Sequence, residues 1–150
     1  MGVISDTHGL LRPEALAALQ GSEYIIHAGD VGDPEILLQL AAIAPVTAVR
    51  GNVDREEWAR DLPASNVLQL GETAIYVLHD VGQLDLNPRA GHFAAVIFGH
   101  SHRPSQQVRD GVLFFNPGAA GPRRFQLPVT VGRLHLSGGK LTGEIVKLLP

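Results

Sequence analysis

Val3-Ile4-Ser5-Asp6-Thr7-His8-Gly9 is a short β-branched run that stops at a carboxylate and an imidazole. The same phrase recurs along the chain. Tyr24-Ile25-Ile26 runs out at Ala28-Gly29-Asp30, and Pro45 to Val49 at Arg50-Gly51-Asn52. Ala74 to Leu78 ends at His79, Ala94 to Phe98 at Gly99-His100-Ser101-His102, and Val112 to Phe115 at Asn116-Pro117-Gly118. In sheet proteins, sites form where loops leave one edge of the sheet. If these strand ends lie together, they assemble carboxylate, imidazole and amide oxygen in one place.

The segments between the strands set the fold class. Pro13 opens a predicted helix to Gln20, with Gly21 as its stop. Asp33 and Pro34 open a second, predicted to run to about Ala44, with Ile36, Leu37, Leu40 and Ile43 at helical spacing. A short helix is predicted over 55–61, and one or two helical turns over 84–92. The second half is expected to be mostly antiparallel, with hairpins at Gly71, Asp110-Gly111 and Gly138-Gly139. Together these predict a sheet-centred α/β fold of two packed sheets with helices outside.

Composition narrows the classes. The chain has 150 residues, 45% hydrophobic and 18% charged, which excludes intrinsic disorder. A single domain spanning 1–150 is expected, since a chain of this length buries roughly 68–70% of its unfolded surface. There is no cysteine, so disulfides and thiolate metal sites are excluded. A net charge of −3 and the lack of a basic run argue against a nucleic-acid duplex as partner. No apolar stretch approaches the ~20 residues of a membrane span, and the first residues do not form a signal peptide. The expected setting is cytoplasmic.

The donor set has its own chemistry. Imidazole suits zinc, iron, nickel and copper, while carboxylate and amide oxygen suit harder ions such as manganese. So many mixed donors exceed what one tetrahedral ion needs, and with one carboxylate shared they would hold two ions. Two divalent cations outweigh the carboxylates Asp6 and Asp30, leaving positive charge to bind a phosphate and hold a hydroxide. Metal binding lowers the pKa of water toward about 7, which supplies a nucleophile without any Ser or Cys. Manganese is the first expectation, with iron, zinc, nickel and cobalt as alternatives.

In their order, Asp6-Thr7-His8, Gly29-Asp30, Gly51-Asn52-Val53-Asp54, His79, Gly99-His100-Ser101-His102 and Asn116-Pro117-Gly118 resemble the calcineurin-like metallophosphoesterases. The likeness is to the small YfcE-like phosphodiesterases and covers nearly the whole chain. It implies a four-layer αββα sandwich of two mixed sheets. It also implies that Asp6, His8, Asp30 and His102 bind one ion, that Asp30, Asn52, His79 and His100 bind the other, and that Asp30 bridges. Asp54 is implied to orient Asn52 or its neighbours from behind. The expected activity is hydrolysis of a small phosphodiester by a hydroxide bridging the ions, and relatives often form dimers or tetramers. The alternatives are a protein-binding scaffold like the retromer subunit of this branch, and a phosphomonoesterase or nuclease on the same fold.

The chain also departs from the family pattern. Val53 stands where larger members carry a histidine that assists the leaving group, Asp80 replaces the glycine that usually follows His79, and Ala119 replaces a serine. The stretch from Asp80 to His92 is short, and the first strand starts almost at Met1. Among other residues, His27 is expected to pack, His92 and His135 to be solvated, and Asp33 to cap its helix. Arg123 and Arg124 are either phosphate contacts or a surface pair. Arg50 is expected to be structural, and Trp58 to cap the core or anchor a subunit contact.

Overall fold

The computed structural model describes residues 1–150. Twelve regular elements follow one another: β1 (Gly2–Ile4), α1 (Pro13–Leu19), β2 (Ile25–His27), α2 (Pro34–Ala41), β3 (Val46–Ala48), β4 (Ser65–Leu70), β5 (Thr73–Leu78), β6 (Phe93–Ile97), β7 (Ser105–Arg109), β8 (Val112–Asn116), β9 (Thr130–Ser137) and β10 (Lys140–Lys147). Single 3-10 turns lie at Glu57–Asp61 and Val81–Gln83.

The strands form two five-stranded mixed sheets, ordered β10-β9-β1-β2-β3 and β4-β5-β6-β8-β7. Period-two alternation explains the layers. Val3, Ile26, Ile75, Val77, Ala95, Ile97, Leu113 and Phe115 point between the sheets and form the central core. Ile4 and Ile25 point the other way, under α1 and α2, where they meet Leu19, Ile36 and Leu40. Tyr76, Leu78, Val96, Val112 and Phe114 form the outer face of the second sheet. Strands buried on both faces show continuous apolar runs, as these do.

Asp33 accepts a hydrogen bond from Glu35 N (2.9 Å) and caps α2 as expected, with Pro34 at its first position. The helix stops at Ala41 rather than Ala44. At the hairpin tips, Asp110 and Gly111, and Gly138 and Gly139, take positive φ, the backbone that two-residue turns between twisted strands demand.

Two expectations need correction and one needs an addition. The second half is mostly antiparallel, with hairpins β4–β5, β7–β8 and β9–β10 at the expected turns, but it also contains two parallel pairs, β5 with β6 and β6 with β8. The connections between them carry no α-helix, so the crossover was not legible as a β-α-β pattern. The segment 84–92 has no regular helix, because Asn87 and Pro88 organise a turn in which Asn87 Oδ1 accepts from Arg89 N and Ala90 N. The fourth layer is therefore thin, made by the Val81–Gln83 turn and by Val81, Leu84 and Leu86 packed on the outer cluster. The 55–61 helix is a 3-10 segment, with Trp58 half-buried against the helical core and its Nε1 donating to Glu56. No helix is long and apolar enough to cross a membrane.

Candidate metal centre

β1, β2 and β3 run parallel, as do β5, β6 and β8. Each of these six strands delivers its polar group at or just past its C-terminal end, so the groups meet at one edge of the sandwich.

Asp6 is the hub. Its Oδ1 lies 3.4 Å from His102 Nε2, 3.7 Å from His8 Nε2 and 3.9 Å from His79 Nε2. Asp30 Oδ2 lies 3.2 Å from His79 Nε2 and 3.6 Å from His8 Nε2, and so touches an imidazole from each expected ion set. Two triads could each hold a cation: Asp6, His8 and His102, and Asp6, Asp30 and His79. Asp6 belongs to both, while Asp30 reaches across between them. Asn52 and His100 stand outside these triads and face each other, Asn52 Oδ1 being 3.2 Å from His100 Nδ1.

The geometry fits a metal better than a network of internal hydrogen bonds. Donors sharing one ion at 2.0–2.2 Å lie roughly 3–3.5 Å apart, and the Asp6–His102 and Asp30–His79 pairs are spaced that way. Asp6 Oδ1 and His79 Nε2 are buried with no hydrogen-bond partner. Buried polar atoms are seldom left so. Every other lone pair or proton on these two side chains is already assigned. Asp6 Oδ2 accepts from Ser5 Oγ (2.7 Å) and His100 N (3.1 Å). Ala28 O can only accept, so His79 Nδ1 (2.7 Å away) carries the proton and Nε2 is left to face the centre.

Electrostatics agree. Burial pushes the Asp6 carboxyl up, but the neighbouring imidazoles of His102 and His8 and the hydrogen bond from Ser5 overcome it and hold it below the usual carboxylate range. Asp30 behaves alike: burial opposes ionisation, while His79 and the Val53 N–H favour it, with a net lowering. His79 is desolvated, yet Asp30 and Asp6 raise it above an ordinary imidazole.

The backbone is strained where the donors sit. Of the eight non-glycine residues with positive φ, five are Asp6, His8, Asp30, His100 and His102. Such conformations cost about 1–3 kcal/mol each and persist where the surroundings impose them. Those surroundings are identifiable. Buried Asp54 accepts three backbone N–H bonds, from Val31 (3.1 Å), Gly32 (3.0 Å) and Gly51 (2.9 Å). It thus locks the Asp30 loop to the Asn52 loop. A Cβ on Gly51 would collide with Asp30 Oδ1, and one on Gly99 with Ser5 Oγ, so glycine precedes both donors because the loops touch.

Other side chains also shape the floor. Thr7 Oγ1 donates to Val31 O (2.8 Å) and so accepts from His27 Nε2 (3.0 Å), while His27 Nδ1 accepts from Gly29 N. This makes His27 a fully buried, neutral packing histidine, as expected. Burial, only partly countered by Asp6 and Asp54, lowers its pKa to about 4. Sequence reasoning missed Ser5 and Thr7, whose only signal was adjacency to Asp6. It also gave Asn116 no role. Fully buried, Asn116 donates to Gly99 O (3.0 Å) and Ser101 Oγ (3.2 Å) and so fixes the His100–His102 turn.

Arg123 is exposed and its guanidinium donates to Pro150 O (3.1 Å) at the C-terminus. Arg50 holds Leu62 O (3.2 Å), a structural contact. His92 is exposed, and His135 faces Glu144 across β9 and β10 at 3.9 Å.

The family model for the calcineurin-like phosphoesterase superfamily domain matches residues 1–139. The chain belongs to that superfamily. A probable metallophosphoesterase of Methanothermobacter thermautotrophicus is 33% identical, over 98% of this chain and 91% of its own length. Among solved structures, an archaeal phosphodiesterase superposes with a TM-score of 0.78 at 24% identity, covering 97% of this chain and 98% of its own. Vps29 from Entamoeba histolytica, in complex with zinc, gives 0.72 at 21% identity, covering 99% and 100%. At these identities the two structures show a shared fold. As a metallophosphoesterase domain, this chain is a phosphoesterase that uses divalent metal, and the Asp6 triads are where such an ion fits.

Proposed function

We propose that the chain is a dinuclear, metal-dependent phosphodiesterase, a single domain over 1–150. Its substrate is a small phosphodiester, manganese its metal, the cytoplasm its setting, and a dimer or tetramer its assembly. The carrying observation is the convergence of Asp6, His8, Asp30, His79 and His102, with Asp6 Oδ1 and His79 Nε2 buried and unpartnered. Two bound divalent ions would lower the pKa of a water toward about 7 and offset charge on the phosphoryl oxygens.

The chain's own residues do the rest. Asp6 and His8 with His102 hold one position, and Asp30 with His79 the other, Asn52 and His100 closing it from the rim. Ser5 Oγ and the His100 N–H turn Asp6 Oδ1 inward, and Ala28 O does the same for His79 Nε2. Val53 gives its N–H to Asp30 Oδ1 (3.0 Å) and has no group to protonate a leaving alcohol. Activated esters should therefore react faster than alkyl ones. The full donor set favours an enzyme over a scaffold of the Vps29 kind.

Purified protein, stripped of metal and reloaded with manganese or cobalt, is expected to hydrolyse bis(p-nitrophenyl) phosphate, and to lose that activity in chelator. No metal-stimulated turnover over a panel of diesters and monoesters would overturn the proposal.

A further inference from the structure

A groove of about 550 Å³ opens from the centre. Asn52, His79 and His100 are common to the centre and the groove, and Arg50, Asp80 and Asp85 also line it. His79, whose Nε2 is buried and unpartnered, belongs both to the centre and to the lining of this groove. Such a volume is ample for an organic ligand and far more than a phosphate requires. The groove therefore has room for the part of the substrate that does not react.

Its lining carries charge of both signs. Arg50 is partly engaged, one guanidinium nitrogen donating to Leu62 O. Asp80 Oδ1 accepts from Gly82 N (2.9 Å), which fixes the carboxylate, and Oδ2 stands 4.0 Å from His100 Nε2. Asp85 is exposed and appears in no hydrogen bond or ion pair. A phosphorus held beside His79 and His100 would thus lie close to the Asp80 carboxylate, and an arm extending along the groove would meet that of Asp85. A dianionic monoester, or an arm bearing a second phosphate, brings like charge to both. A hydroxyl or ammonium on the arm brings a donor to both.

Resting on the phosphodiesterase reading, we propose that the Asp80–Asp85 pair is a specificity device. It selects monoanionic diesters whose second arm is a neutral or ammonium-bearing alcohol, and it turns away monoesters and arms that carry phosphate.

The test compares kcat/KM for p-nitrophenylphosphorylcholine, bis(p-nitrophenyl) phosphate and p-nitrophenyl phosphate in manganese-loaded wild type, Asp80→Asn and Asp85→Asn. Asparagine keeps the Oδ1 acceptor that caps the Val81–Gln83 turn, so the fold is retained. The ratio of choline diester to monoester should fall about tenfold in Asp80→Asn and roughly threefold in Asp85→Asn, less at high salt. Separately, amide resonances of residues 82–85 in the wild type should shift with phosphorylcholine and not with inorganic phosphate. Unchanged ratios in both variants overturn the inference while leaving the phosphodiesterase standing. Hydrolysis of none of the three substrates sinks the phosphodiesterase reading instead, and the amide shifts then decide the groove alone: no phosphorylcholine response, or an equal response to phosphate, overturns it.

Discussion

Asp6, Asp30, His79 and His102 lie on the floor of the centre, each at most 5% exposed, whereas Asn52 and His100 stand exposed at its rim. The floor is held by the fold itself. Ser5, Ala28 and Asp54 fix its loops through buried bonds, and four of its donors, His8 included, sit on left-handed backbone that those bonds enforce. The rim side chains have only one bond, to each other, at a surface where water competes. A site built this way has one half preorganised and one half that a second ion would have to order. Preorganisation is what lets a weak ligand set compete with water, because little is lost on binding.

That contrast can be broken most severely on the floor. Asp6→Asn removes the charge shared by both triads, and phosphodiester turnover should fall about 10³-fold, with bound metal measured by elemental analysis dropping in parallel. A variant that retains both would show that the hub lies elsewhere.

Removing the support beneath the floor comes next. Asp54→Ala leaves three backbone N–H groups, those of Val31 and Gly51 buried, without an acceptor. Metal-free protein should lose about 3 kcal/mol, or roughly 10 °C in Tm by calorimetry. Little change would mean that the loops hold themselves.

A pH titration of the metal-free protein probes the same floor. His27 is held near pKa 4 in the folded state against 6.5 for the unfolded chain, so between those values the unfolded state binds more protons. Its contribution is constant above about pH 6.5 and is lost as pH falls toward 4, about 3 kcal/mol in all. His79, raised in the folded state, acts in the opposite sense, stabilising at low pH and fading as pH rises through its folded value. Denaturant midpoints of the wild type and His27→Gln should therefore diverge at neutral pH and converge in acid. Parallel curves would refute the assignment of a neutral buried His27.

The smallest effect belongs to the rim. Asn52→Ala should weaken the second ion about tenfold to a hundredfold and reduce turnover comparably, while metal-free stability stays within about 0.5 kcal/mol. Full turnover with two ions bound would show that the rim pair is not part of the ligand set.

Much of this was readable along the chain, and the reason is chemical. Asp6, His8, Asp30, Asn52, His79, His100 and His102 each close an apolar strand, and a strand that ends in a ligand-type residue marks itself in one dimension. The glycines before Asp30, Asn52 and His100 were visible too, although the contacts that require Gly51 and Gly99 join loops distant in sequence. The parallel pairing of β5, β6 and β8 was hidden, because without a crossover helix those strands look like pieces of meander. The support roles of Ser5, Thr7 and Asn116 were hidden for a related reason, since small polar residues gain meaning only from what they touch.

The sequence by itself determined the donor types, their order and their strand-end placement, since these follow from residue chemistry and period-two burial. Only the tertiary structure decided that Asp6 stands in both candidate triads, that Arg123 reaches Pro150, and that Asp80 and Asp85 line one groove. Each of those depends on distances between segments far apart in the chain, which packing sets and local pattern does not.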